Sequence, residues 1–309
     1  MTLPEQSHHQ PSLNAGRHTD PTARRIHDWV FRACLAEVLA EKPGNVSPRH
    51  SFTDATAEDF VTSGAAIAPV LATALQFPVG QTILHAVQAT NAVVGHNTNL
   101  GIILLLAPLA AAPQDQSLRD GLQSVLESLS VDDARSAFDA IRLASPGGLG
   151  KASDQDVSAT PTMNLLDCMR LAADRDQIAA EYCSGFATVF ETGLPLLQKC
   201  LLWNHHADRR LGWLSLQLLA RFGDSLIARK CGEQVNQQVQ QQAQHVLDQG
   251  WPFESKADFA YLEFDRFLRD PDHRRNPGTT ADLTAAVLFV AQRLEVCEIN
   301  DDGSLSTAH

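Results

Sequence analysis

The sequence predicts an all-α protein folded as one large multi-helix domain, and three observations carry that reading. Apolar residues recur at spacings of three and four along most of the 309 residues. Runs of alternating β-branched residues between turn signals are missing. Apolar residues make up 44% of the chain, enough to fill a large core, and no internal repeat suggests a solenoid.

The elements follow in order. Residues 1–20 are polar, contain proline and lack the apolar centre of a signal peptide, so they are expected to be a disordered tail. Asp20 and Pro21 then make an N-cap and first-turn pair, and Ile26, Val30, Ala33 and Glu37 fall on one face of the helix that follows. Thr56 and Asp59 form a variant capping box for a second helix, which carries Phe60, Gly64, Ile67, Leu71 and Leu75 inward and is bent by Pro69. Further helices are expected near 80–94, 100–112, 117–129, 132–144, 162–191, 195–221, 225–249, 257–268 and 279–297. The helical domain thus spans 21–298, with 299–309 as a C-terminal tail. Residues 144–161 are rich in Gly and Pro and form a loop or a linker between helical halves.

Charge and cysteine usage narrow the function. A net charge of −12 provides no basic footprint for nucleic acid or for anionic lipid. The apolar run at 102–112 is interrupted by Pro108 and falls well short of the roughly 20 residues needed to span a bilayer, so it is a buried helix. Six cysteines lie scattered with no CxxC pair, which points to reduced thiols and a cytoplasmic location. The composition leaves a homo-oligomer open.

Four polar segments at predicted helix ends carry more functional groups than connectors need: "EKPGNVSPRHSFTDATAEDF" (41–60), "GHNTNLG" (95–101), "FGDSLIARKCGE" (222–233) and "RRNPGTTADL" (274–283). Sites in helical proteins are assembled from such ends, where unpaired N–H groups and the positive end of the helix dipole favour phosphate.

At these segments the chain resembles the triphosphoribosyl-dephospho-CoA synthases. Their KPG motif, after a helix carrying Glu-Val, is matched by Glu37, Val38, Lys42, Pro43 and Gly44. Their Gly-x-Asn-Thr-x-x-Gly motif is matched by Gly95, Asn97, Thr98 and Gly101, their Asp-led basic segment by "DSLIARKCG", and their Pro-Gly-x-x-Ala-Asp-Leu by "NPGTTADL". Each match is short, but four in the right order are specific. The chain also departs from the usual pattern: Phe52 stands where a His commonly precedes the acid after KPG, Asn99-Leu100-Gly101 replaces His-Lys-Gly, and Asp224-Ser225-Leu226 replaces Asp-Thr-Asn. It looks like a divergent branch.

The resemblance implies an all-helical transferase that moves the triphosphoribosyl group of ATP to the 2′-hydroxyl of 3′-dephospho-CoA, or a related alcohol, and releases adenine. Such chemistry calls for Mg²⁺ and cationic side chains on the triphosphate, and for carboxylates near C1 and the attacking hydroxyl. Glu37, Asp54 and Asp224 are the candidate catalytic acids, and Asp54, Asp224 and Asp282 the candidate metal ligands. Lys42, Arg229 and Lys230 are candidate phosphate contacts. Asn45, Asn97, Thr98, Asn99 and Asn276 supply hydrogen bonds to phosphate, ribose or adenine. Each also has a plainer reading: Asp54 as a helix-entry residue, Asp282 as the cap of the last helix, Lys42 as a solvated side chain. Glu37 is harder to dismiss, because an acid at the end of an apolar stripe needs a partner or a raised pKa.

Other features carry less. His205, His206 and Asp208 point apart on a helix and are read as surface. The Gln-rich 233–250 stretch keeps an apolar stripe at Val235, Val239, Ala243 and Val246 and is an amphipathic helix. Asp167, Arg170 and Asp174 fit surface ion pairing. "SPGGLGK" lacks P-loop spacing and is at most a mobile lid. Two rival classes remain beside the transferase: a Mg²⁺-dependent helical nucleotide or ribosyl hydrolase, and a non-catalytic nucleotide-binding helical protein.

Overall fold

A computed structural model describes residues 20–146 and 155–308. Its described part is built of fourteen α-helices with short 3₁₀ and π segments and a two-stranded hairpin. The tail at 1–19 and the "GGLGK" of the proposed lid lie outside the described residues.

Two helices are apolar on nearly every side, and they form the centre. These are α4 (Leu100–Ala111), which runs through Pro108, and α14 (Gly278–Arg293), buried from Leu283 to Gln292. An all-round apolar helix can satisfy its surface only inside a shell of others. That shell includes α1 (Pro21–Leu39), α2 (Ala57–Leu71), α3 (Val79–Val94), α8 (Gln177–Ser184) and α10 (Arg210–Phe222), with α6 (Val131–Ala144) packed on α3 outside it. The α1 cap is as the sequence predicts: Asp20 accepts from the Thr22 N–H at 2.9 Å, and Ile26, Val30 and Ala33 are fully buried. The capping box of Thr56 and Asp59 opens α2.

Several long predicted helices are divided. The 162–191 stretch becomes α7 (Leu165–Arg170), α8 and a π-helical segment (Thr188–Gly193), because Asp176 caps a new start by accepting from the N–H groups of Ile178 and Ala179. The 195–221 stretch breaks between α9 (Leu194–Leu201) and α10, so His205 and His206 lie in a turn. The 225–249 stretch breaks at Gly232, giving α11 (Ser225–Cys231) and the Gln-rich α12 (Glu233–Asp248). Leu75 lies beyond the end of α2 and is exposed, not inward.

The C-terminal residues differ most from expectation. Strands β1 (Cys297–Ile299) and β2 (Leu305–Thr307) pair antiparallel, and Cys297 and Ile299 are buried. Buried Arg210 on α10 donates to the carbonyls of Leu201, Trp203 and Leu305, which holds this hairpin against the bundle. Strands of three residues are too short to leave a readable alternation in sequence.

Candidate active site

One cavity of ≈ 1130 Å³ opens among the polar helix ends. Its walls bring together Glu37 of α1 and, from all four of the polar segments, Asn45, Asp54, Asn97, Thr98, Asn99, Arg229, Lys230, Asn276 and Asp282. Lys42 and Asp224 are not among the wall residues.

The KPG turn explains the place of Lys42. Gly44 has φ of 76°, and a Cβ there would sit 2.6 Å from Leu268 Cβ, so only glycine fits. Its N–H donates to Asp265 Oδ1 at 2.8 Å. The turn folds the lysine back under α1, where its ammonium lies 3.1 Å from Glu37 Oε1 and donates to the carbonyls of Glu37 and Ala40. Three donors meet three acceptors with no exposed surface left. Lys42 is thus neither a solvated side chain nor a group facing phosphate. It is the buried partner of Glu37, whose carboxylate faces the cavity.

Asp224 is also fully engaged. It caps α11, with Oδ1 accepting from the N–H groups of Leu226 and Ile227, while Oδ2 accepts from the N–H and hydroxyl of Thr280 on α14 at 2.8 and 2.9 Å. Burial pushes its pKa up, against these hydrogen bonds, which pull it down. It binds two helix starts together and is not free for metal or substrate.

Asp282, the fifth residue of α14, has the opposite situation. It is half-buried at the cavity wall and has no hydrogen bond or ion pair among the described residues. Burial first, and the nearby Glu37 carboxylate second, raise its pKa well above the ordinary carboxylate range. Its position within the helix removes it from a capping role. The cavity side of α4 is shaped to admit it: Gly101 is where a Cβ would overlap Asp282 Oδ2. Cys34, on the other side of these acids, has its thiol pushed up to about 12, by burial first and then by Glu37 and Asp282.

The loop before α4 is fixed by its own polar groups. Thr98 and Ser63 share a hydroxyl contact of 2.5 Å, Asn97 accepts from the Leu100 N–H, and buried Asn99 accepts from Thr90 at 2.9 Å. The Asn99 amide nitrogen stays without a partner. Among the described residues, buried atoms in the same condition are Asn45 Nδ2, His96 Nε2, Arg229 Nε, His273 Nδ1 and Asn276 Oδ1, all on cavity-wall residues, and Arg210 Nε, Ser215 Oγ and Arg275 Nε, which lie elsewhere. Such groups are costly unless something polar meets them, so the cavity is built for a polar ligand.

Cationic groups stand beside them. Lys230 makes no ion pair among the described residues, and burial lowers its pKa. Arg229 pairs with Asp176 at the start of α8. Arg175 and Asp176, next to each other on the wall, were not foreseen; both fell inside the stretch read as one helix, and the N-cap pattern at Asp176 was the available signal. His273 was missed too. It stacks on Phe52 with ring centroids 4.2 Å apart and accepts from the Thr53 N–H through Nε2, which joins the 51–55 and 271–276 loops at the rim.

No group of three or more His, Cys, Asp or Glu side chains converges as a metal cage among the described residues. Asp54 is exposed on the rim and Asp224 is fully engaged, so these two and Asp282 form no common site among the described residues. No helix among the described residues is long and apolar enough to cross a membrane.

A family model described as "CitG: ATP:dephospho-CoA triphosphoribosyl transferase" matches residues 23–300. The chain belongs to this family. It is also similar to a crystal structure from Archaeoglobus fulgidus described as a triphosphoribosyl-dephospho-CoA synthase, at 25% identity and a TM-score of 0.59, covering 74% of this chain and 96% of that one. A search of curated proteins finds no match. The CitG family assignment makes the chain an ATP-using triphosphoribosyl transferase.

Two outcomes test this geometry. Lys42→Met strands the Glu37 carboxylate and should lower stability by about 3–5 kcal/mol in chemical denaturation. The double variant with Glu37→Gln should regain most of that loss. Gly101→Ala should displace Asp282 and cut adenine release at least about tenfold while the far-ultraviolet spectrum stays helical.

Proposed function

We propose that this chain transfers the triphosphoribosyl group of ATP to the 2′-hydroxyl of 3′-dephospho-CoA with release of adenine, using Glu37 and Asp282 as its proton-handling pair. The observation that carries this is their contrast: one acid in a salt bridge with a buried ammonium, the other with no hydrogen bond or ion pair among the described residues and with a raised pKa, on one cavity. Acids whose surroundings separate their proton affinities divide acid and base roles.

In the reaction the bond from ribose C1′ to adenine breaks and a bond from the acceptor oxygen to C1′ forms. Asp282 gives its proton to the departing base. Glu37 takes the proton of the attacking hydroxyl and faces the positive charge that develops at C1′. Lys42 holds Glu37 in orientation without touching substrate. Lys230, Arg229 and Arg175 supply charge for the triphosphate, and the unpartnered amides of Asn45 and Asn99 supply donors.

Mg²⁺ fits here as an ion carried chiefly by phosphate and water, since such ions commonly use only one or two carboxylates. Asp54, exposed on the rim without a hydrogen bond or ion pair among the described residues, is the carboxylate that would hold it. The ion would neutralise triphosphate charge.

The deciding experiment is adenine release with and without 3′-dephospho-CoA. Release that depends on the alcohol supports transfer, whereas equal release in its absence would make the protein a hydrolase.

Replacing Lys230 by Ala should weaken ATP binding by about 1.5–3 kcal/mol in calorimetry. Asp282→Asn should lower turnover roughly a hundredfold or more. The same change should raise the melting temperature at neutral pH. A carboxyl whose pKa is raised on folding binds more protons in the native state, so its cost is absent below about pH 4 and grows as pH rises through the raised pKa. Wild type and variant should therefore melt alike near pH 4 and diverge above it.

A further inference from the structure

The cavity has a second character beyond its polar end. Between α6 and α7 its wall carries Phe138, Ile141, Leu165 and Met169, and its outer edge Leu143 and Leu171, which are 40% and 39% exposed, with Cys168 on α7 and Ser145, Gln155 and Asp156 after α6 also on the wall. None of the buried polar atoms that lack partners lies on α6 or α7. Neither α6 nor α7 therefore offers the edge nitrogens of an adenine a buried group in need of a partner, whereas the polar end has several such groups. It does suit a thin arm of methyl and methylene groups interrupted by amides, its apolar parts against Phe138, Ile141, Leu165 and Met169 and its far end reaching solvent past Leu143 and Leu171.

The total volume bears on the same point. A cavity of ≈ 1130 Å³ exceeds the roughly 300–1,000 Å³ that usually holds one drug-sized ligand. Direct transfer requires two nucleotides at once, and one of them carries a long arm.

Resting on the transferase reading, we infer that the α6–α7 lobe is the subsite for the pantetheine arm of the acceptor, with its nucleotide end directed to Glu37 and its thiol end toward solvent. The lobe thus selects an acceptor with such an arm over a bare nucleotide. Both bases are left to the polar end.

Titration calorimetry tests this on the full chain with three probes: 3′-dephospho-CoA, ADP (the same nucleotide without the arm) and ATP. Leu143→Asp and Leu171→Asp alter exposed side chains, and melting confirms the fold; Leu143→Ser and Leu171→Ser replace any variant that melts early. The expected result is a dephospho-CoA Kd raised at least about tenfold in both positions, with ADP and ATP affinities within about twofold of wild type. Parallel loss of ADP or ATP binding would place a base in the lobe and overturn the inference. So would an unchanged dephospho-CoA Kd. Adenine release that proceeds with a short alcohol while wild type binds no dephospho-CoA would also overturn it, yet leave the transfer reading standing. Adenine release that needs no alcohol, alongside the expected shift in dephospho-CoA binding, would sink the transfer reading and keep the subsite.

Discussion

The site depends on the Asp224 carboxylate. It accepts four hydrogen bonds, two from the first turn of α11 and two from Thr280 in the first turn of α14. Those helix starts carry donors that would otherwise be buried without partners, and one fully desolvated carboxylate answers both. By binding them together it determines where Arg229 and Lys230 on α11 stand relative to Asp282 on α14. A residue with no access to substrate thereby sets the distance between the cations and the acid of the cavity.

The same economy governs the other buried charge. Lys42 satisfies all three of its protons inside the protein, at a desolvation cost recovered only because the geometry is complete. Glu37 gains a defined orientation from it. Asp282 receives no such support, and burial, followed by the neighbouring Glu37 carboxylate, raises its pKa. The difference between the two acids is one of neighbours, since both are ordinary carboxyls.

Much of the fold was legible because local signals and burial agree. Asp20, Pro21 and the Ile26–Val30–Ala33 spacing identify α1 without ambiguity, and the composition of 102–112 marks a central helix. The breaks at Asp176, Gly232 and the 202–209 turn were missed because apolar residues continue across them in near-helical register. The cavity was partly legible through its motifs. What spacing could not show was the direction of each polar group. Lys42 turns inward under Gly44, and Asp224 meets a partner 56 positions away. His273 meets Thr53 across 220 positions, a pairing that local pattern does not contain.

The central place of α14 has a consequence for how the protein is made. Its Gln292 donates to the Trp29 carbonyl of α1, 263 positions earlier, and Phe289 packs edge-on against Trp29. During synthesis α2 can cover part of α1 early, but the face of α1 that packs on α14 must wait for almost the whole domain to emerge. Nascent chains of this design present unfinished apolar surface for most of their elongation, which makes them natural clients of ribosome-associated chaperones. A ribosome that stops short of α14 releases a chain without a closed core, and such partial products are prone to aggregate.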